Sequence, residues 1–239
     1  MIDLDNFSTG DMLALAKLSS AVYLASQRDA VAALGMTLVA QIGDEHCQVT
    51  VATWGGYAVL GLQGTRVSSN FSIPELFDDV DLDVTKVPGF GRVAEGFFRP
   101  LAKVWPQIKA AMPPGQPLWT GHSLGGVRAH YGPFFIPGSE VVSFGAPRGG
   151  DDAFWTALYP DYPPLRVVNE ADFAPGYSWD GPFGQPADMA WLHNSSLSSV
   201  RVRPGMNVSL SDHSIDHGYI PAIASVLARD QLKGKLNAI

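Results

Sequence analysis

The chain has 239 residues, 46% of them hydrophobic and only 16% charged, against roughly 25% charged in an average soluble domain. A formal net charge of −7 excludes a general affinity for the nucleic acid backbone, and scarce charge among evenly spread apolar residues excludes a disordered or coiled-coil protein. One cysteine, Cys47, excludes an intramolecular disulfide and a multi-cysteine zinc site.

Asp3, Asp5 and Asp11 precede the first basic residue, Lys17, so the basic start and apolar run of a secretory signal are missing. The default expectation is a cytoplasmic protein, although a mature secreted chain given a new Met1 reads the same. Ser8 followed by Asp11 predicts a capped helix start, with helix over Met12–Gln27. Strands are expected at Met36–Ile42, Cys47–Trp54 and Tyr57–Leu62, separated by the turn signals Gly43-Asp44 and Gly55-Gly56. The charge-free stretch from His46 to Thr65 is therefore two strands and a turn rather than a membrane span. Phe97–Ala111 reads as helix, with a kink or break at Pro106. Gln116–Thr120, Glu140–Phe144 and Leu165–Asn169 are short buried strands, and Met206–Leu210 is the candidate last strand. The final helix runs from Pro221 to Lys233, with Ile223, Val226 and Leu227 on one face. No repeat, low-complexity block or linker divides the chain. The expectation is one α/β domain with a mostly parallel sheet covered by helices on both faces.

The chemistry concentrates in Gly121-His122-Ser123-Leu124-Gly125-Gly126. A Gly-x-Ser-x-Gly between an apolar strand and a helix is a nucleophile elbow. Its sharp turn needs glycine where side chains would strike neighbouring backbone. It presents the Ser123 hydroxyl at the helix N-terminus and turns the Leu124 N–H toward a developing oxyanion. A serine nucleophile needs a base, and the base an orienting acid; in this setting the chain order is Ser, acid, His. Asp172 lies three residues past the strand Leu165–Asn169, at the same sheet edge as the elbow. Asp151 and Asp152 read as caps of the helix that follows them, and Asp161, Asp180 and Asp188 sit in Pro/Gly-rich loops. Downstream histidines are His193, His213 and His217. The last two, four apart, also admit a metal-site reading, against which stand Gly218, Pro221 and the lack of further ligands.

The sequence resembles the class 3 lipases, the fungal triacylglycerol lipase type of α/β-hydrolase, from about Leu13 to Ile223. Thr120–Gly126 is similar to the family elbow, and Val142–Gly150 to its strand and Phe-Gly-Ala-Pro-Arg turn. Gly61-Leu62-Gln63-Gly64-Thr65 is similar to its oxyanion loop, Val93–Phe97 to its Val-His-x-Gly-Phe, and Arg166–Asn169 with Asp172 to its acid-bearing strand. Gln63 stands where the family carries Arg, Ala94 where it carries His, and Arg128 where the helix is usually small and apolar, here shortly before Gly132-Pro133.

The resemblance implies Ser123 as nucleophile, Asp172 as acid, a C-terminal histidine as base, and an oxyanion hole from the N–H groups of Thr65 and Leu124 with the Thr65 hydroxyl as a third donor. It implies no metal or organic cofactor and a small-molecule or lipid ester as substrate. The expected activity is carboxylic ester hydrolysis through an acyl-enzyme. Phospholipase A1, feruloyl esterase and polyester hydrolase are alternatives on the same machinery, and a catalytically silent binding module is the rival from another class. Ser68–Val80 alternates apolar Phe71, Ile73, Leu76 and Phe77 with acidic Glu75, Asp78 and Asp79, which predicts a lid in contact with a lipid interface. His213 is the expected base because it lies three residues beyond the candidate strand, His217 seven. The family's Asp-His-x-x-x-Tyr-like stretch fits with Tyr219 offset, which keeps His217 as the alternative.

Overall fold

The computed structural model describes residues 7–65, 83–161, 163–176, 183–185, 189–193, 196–200 and 209–236. The chain opens with α1 (Thr9–Ala21), whose start carries a reciprocal cap: Ser8 Oγ accepts from the Asp11 N–H and Asp11 Oδ2 accepts from the Ser8 N–H. The helix ends at Ala21, short of the expected Gln27. The Gln27 side-chain amide instead donates to the Val22 carbonyl at 3.0 Å, satisfying a group left open by the helix end. A short α2 (Arg28–Ala32) leads into the antiparallel run β1 (Thr37–Gly43), β2 (Gln48–Trp54) and β3 (Tyr57–Leu62).

A separate hairpin of β4 (Val84–Val87) and β5 (Gly91–Ala94) precedes α3 (Glu95–Ala111). α3 runs unbroken through Pro100 and Pro106, so of the kink or break expected at Pro106 the break is not formed. Its buried face of Phe97, Leu101, Val104 and Ile108, spaced four, three and four residues apart, packs on the core and offsets the hydrogen bonds lost at the two internal prolines.

The sheet turns parallel with β6 (Gln116–His122), followed by α4 (Leu124–His130), α5 (Gly132–Phe135), β7 (Glu140–Phe144), α6 (Asp152–Leu158) and β8 (Leu165–Asn169). Two further strands, β9 (Met189–His193) and β10 (Ser196–Val200), bring the sheet to eight strands among the described residues, in the order β1-β2-β3-β6-β7-β8-β9-β10. The four central pairings, β3 to β9, are parallel, whereas β1-β2, β2-β3 and β9-β10 are antiparallel.

The chain closes with α7 (Leu210–His213), a π-helical turn (Ile215–Tyr219) and α8 (Ile220–Leu236). The last strand expected at Met206–Leu210 is not formed where it is described. Ser209 makes a single parallel bridge to Asp172, and Leu210 already opens a helix, because the Ser209 hydroxyl caps the Asp212 N–H; Met206, Asn207 and Val208 lie outside the described residues.

Two apolar layers flank the sheet. One gathers Leu15, Leu18, Val142, Phe144, Val167, Tyr219 and Ile223 beneath α1 and α8. The other gathers Val51, Leu60, Phe97, Trp119, Val127 and Phe154 beneath α3, α4 and α6. Arg128 is buried in the second layer, 4% exposed, and its guanidinium reaches the Gly96 carbonyl at 3.5 Å; α4 ends at His130, just before Gly132-Pro133. Among the described residues no helix is long and apolar enough to cross a membrane.

Candidate active site

β6 runs between β3 and β7, so its C-terminal end emerges in the middle of the sheet with neighbours on both sides. There the chain reverses at Ser123, which holds φ 56° and ψ −126°, a backbone state that non-glycine residues rarely adopt. The reversal persists because its surroundings fix it. The Ser123 N–H donates to the Phe144 carbonyl at 2.9 Å, and a side chain at Gly121 would strike the Gly125 backbone. The serine hydroxyl is thereby raised at the first turn of α4.

Three elements distant in sequence meet at that hydroxyl. His213, the last residue of α7, places Nε2 2.9 Å from Ser123 Oγ. Its Nδ1 lies 2.9 Å from Asp172 Oδ1, just beyond the end of β8. A carboxylate only accepts, so Nδ1 carries the proton and Nε2 offers its lone pair to the serine O–H. Burial alone would raise the Asp172 carboxyl. The charge and hydrogen bond of His213, with donors from Tyr219 OH and the Ala174 N–H, outweigh it and hold the group below the usual carboxylate range. The side chains of Ser123, Asp172 and His213 are all 3% exposed or less, so their charges act without solvent screening.

Beneath the pair passes the turn after β7. Gly145 has φ +57°, and a Cβ there would lie 2.5 Å from Asp172 Oδ2 and 3.2 Å from His213 Nδ1. Opposite, the loop Gln63-Gly64-Thr65 leaves β3 against the elbow: Leu62 pairs with Gly121, and a Cβ on Gly64 would lie 2.6 Å from the His122 carbonyl. Gln63, where the resemblance leads one to expect Arg, is buried and donates to the Val22 carbonyl at 3.0 Å. Thr65 Oγ1 is buried without a hydrogen-bond partner among the described residues.

The other candidates lie elsewhere. Asp151 caps α6, accepting from the Phe154 N–H at 2.9 Å, and pairs with Arg92. Asp152 opens that helix on its exposed side, and Asp161 is exposed. His193 is exposed and pairs with Glu170. His217 is exposed in the π-helical turn, whereas both ring nitrogens of His213 are engaged by Ser123 and Asp172. Asp180, Asp188 and the predicted lid, Ser68–Val80, lie outside the described residues. No group of three or more His, Cys, Asp or Glu able to hold a metal forms among those described.

Tyr219 is the contributor that sequence reasoning missed as a partner of Asp172. Its hydroxyl donates to Asp172 Oδ2 at 2.5 Å and accepts from the Asn169 N–H at 3.1 Å. The only sequence signal for it was an aromatic residue in the segment that follows His213.

The model of the family described as Lipase (class 3) matches residues 59–180 of the chain. The chain belongs to the class 3 lipase family. The match takes in the loop Gly61–Thr65, the turn at Ser123, the Phe-Gly-Ala-Pro turn and Asp172, and stops before His213. As a class 3 lipase the protein is a serine hydrolase acting on carboxylic esters, with lipid esters as the substrate class. Solved structures agree on the α/β-hydrolase fold. A Rhizomucor miehei lipase propeptide complex is 20% identical with TM-score 0.63, covering 90% of this chain and 76% of that one. The Lip2 lipase of Yarrowia lipolytica is 15% identical with TM-score 0.64, covering 84% and 86%. A mutant of MDLA from Penicillium cyclopium is 17% identical with TM-score 0.63, covering 90% and 94%. No curated protein matches the chain.

Proposed function

We propose that Ser123 is the nucleophile, His213 the general base and Asp172 the acid that orients it. The N–H groups of Thr65 and Leu124 and the Thr65 hydroxyl form the oxyanion hole. The observation that carries this reading is the continuous relay Ser123 Oγ–His213–Asp172, with both links at 2.9 Å and every member buried. The hydroxyl attacks the ester carbonyl as its proton passes to His213 Nε2. The carbonyl oxygen becomes an oxyanion facing the N–H of Leu124 at the helix start and the Thr65 hydroxyl, which has no partner among the described residues. Collapse expels the alcohol, which takes the proton from His213 and leaves an acyl-Ser123. Water, deprotonated by His213, attacks that acyl group, and the carboxylic acid departs as Ser123 regains its proton.

The test is labelling of the folded protein with a fluorophosphonate, mapped by mass spectrometry, beside a p-nitrophenyl ester chain-length series and a triglyceride emulsion. Label on Ser123 and its absence in Ser123→Ala are expected. A folded protein that neither labels nor turns over any ester would overturn the assignment in favour of a silent binding module. Turnover rising with chain length and on the emulsion supports a lipase acting on long acyl chains; turnover confined to short soluble esters makes the protein an esterase.

A further inference from the structure

The residue before the nucleophile takes no part in the relay, yet it touches the relay at two points. His122 ends β6, is 6% exposed, and packs its ring 4.7 Å from that of His213, centre to centre, tilted by 41°. Its other neighbour is Tyr219, 5.7 Å away and nearly edge-on. His122 Nε2 lies 2.5 Å from the main-chain carbonyl oxygen of His213. A carbonyl only accepts, so Nε2 carries the ring proton and donates it. Nδ1 is then the bare nitrogen, and it is buried with no hydrogen-bond partner among the described residues. The polar capacity of the ring is thus committed in one direction, toward the backbone of His213.

That carbonyl has a particular need of a donor. His213 is the C-terminal residue of a four-residue helix, whose last carbonyls have no partner within the helix. The chain beyond it turns away at Ser214, which has φ −63° and ψ 130°. We infer that His122 is a positioning residue: its N–H caps the end of α7 and locks the main chain of His213 to the strand that bears Ser123. Base and nucleophile are then held by one rigid contact rather than by their mutual hydrogen bond alone. The inference rests on the assignment of His213 as base. The Ser–His link persists only while the serine holds its proton, whereas the His122 contact is indifferent to the state of the reaction. It therefore keeps His213 Nε2 over the reacting oxygen through the acyl-enzyme stage, when Ser123 no longer donates.

Burial, with the nearby charge of His213 second, drives the His122 imidazole down to about 3. The ring is consequently neutral whenever the enzyme works, and it adds no second positive charge beside His213 as that residue takes the serine proton.

The experiment compares two near-isosteric replacements. Gln keeps an N–H donor at the reach of Nε2; Met fills the space without one. For each variant the quantities measured are kcat and KM on a soluble p-nitrophenyl ester, the rate of fluorophosphonate labelling, and Tm, with His213→Ala as reference. His122→Met is expected to lower kcat and the labelling rate by about tenfold to a hundredfold with KM within about twofold, and His122→Gln to recover most of that loss. Equal kcat in the Met variant and the parent, or equal losses in Gln and Met, overturns the inference while the relay stands, provided His213→Ala is inactive. Full activity of His213→Ala overturns the relay, and the inference with it. Should His122→Met fail to fold, His122→Gln alone decides: a kcat reduced as far as that of His213→Ala overturns the inference, and one near the parent's supports it.

Discussion

Two histidine–carboxylate pairs lie at the same edge of the sheet, two residues apart in their acids. Glu170 and His193 come within 2.6 Å, with side chains 38% and 45% exposed. Asp172 and His213 are farther apart, at 2.9 Å, with side chains 0% and 3% exposed. The longer contact is the consequential one, because burial decides what a charge pair can do. Water screens the outer pair, and the mobility of two exposed side chains erodes its gain to roughly 0–1 kcal/mol. The inner carboxylate has no water to fall back on. It survives ionised only because His213, Tyr219 and the Ala174 N–H supply its donors, and that same network aims the imidazole at Ser123.

The comparison breaks most visibly if the two pairs respond alike to mutation. Removal of the inner histidine or the serine, by His213→Ala or Ser123→Ala, is expected to cut kcat by about ten-thousandfold or more. Asp172→Asn, which keeps shape but accepts a different imidazole tautomer, is expected to cost a similar factor. His193→Gln and Glu170→Gln are expected to leave kcat within about twofold and stability within about 1 kcal/mol. Steady-state assays on one soluble ester decide between them, and a hundredfold loss from the outer pair would end the distinction.

Next in size is the turn beneath the inner pair. Gly145→Ala forces a Cβ into Asp172 Oδ2 at a left-handed φ, and should lower both activity and stability, the latter by about 2–4 kcal/mol. Urea unfolding and the ester assay on the same sample report it, and an alanine variant with parental Tm and kcat would show that the turn has room.

Acid stability sharpens the contrast further, because burial imposes a cost on imidazoles. His122 is held near 3 and His130 well below its ordinary value, in both cases first by burial. The unfolded chain therefore takes up protons below about pH 6.5 that the native state refuses, so stability falls as pH drops. The slope is at most about 1.4 kcal/mol per pH unit for each of the two. Asp172, lowered in the native state, acts in a window further down: its contribution is intact above about pH 4 and is lost as pH falls through its native value. Urea midpoints at pH 7, 6, 5 and 4 should decline, and His122→Gln should flatten the decline; an unchanged slope would mean that the His122 ring takes up protons in the native state. The smallest effect belongs to the outer pair, for which 0.5 M salt should change stability by only a few tenths of a kcal/mol.

What the sequence determined by itself was set by near neighbours. Glycine at 125 answers to the distant Leu62–Gln63 backbone, but the elbow was legible from its Gly-x-Ser-x-Gly spacing and from the demand for glycine at 121, where a Cβ would strike the Gly125 backbone four residues on. The helix start at Ser8, the cap at Asp151 and the central strands were legible for the same reason, since capping geometry and continuous apolar runs are local signals. Asp172 was reachable by its place after β8. The β4–β5 hairpin and the β9–β10 pair were not legible. Val84–Val87 is largely exposed and Ser196–Val200 is rich in serine, so neither bears the pattern of a buried strand. His213 and His217 lie four residues apart just before the final helix, and the strand used to rank them is not formed at Ser209 and Leu210. Only the tertiary structure distinguishes them: a four-residue helix and a π-helical turn point His213 inward and leave His217 in solvent. The bonds from Tyr219 to Asp172 and from His122 to the His213 carbonyl join residues 47 and 91 positions apart. Contacts of that span leave no periodicity or local composition behind, because they depend on where the packed helices and sheet set each chain end in space.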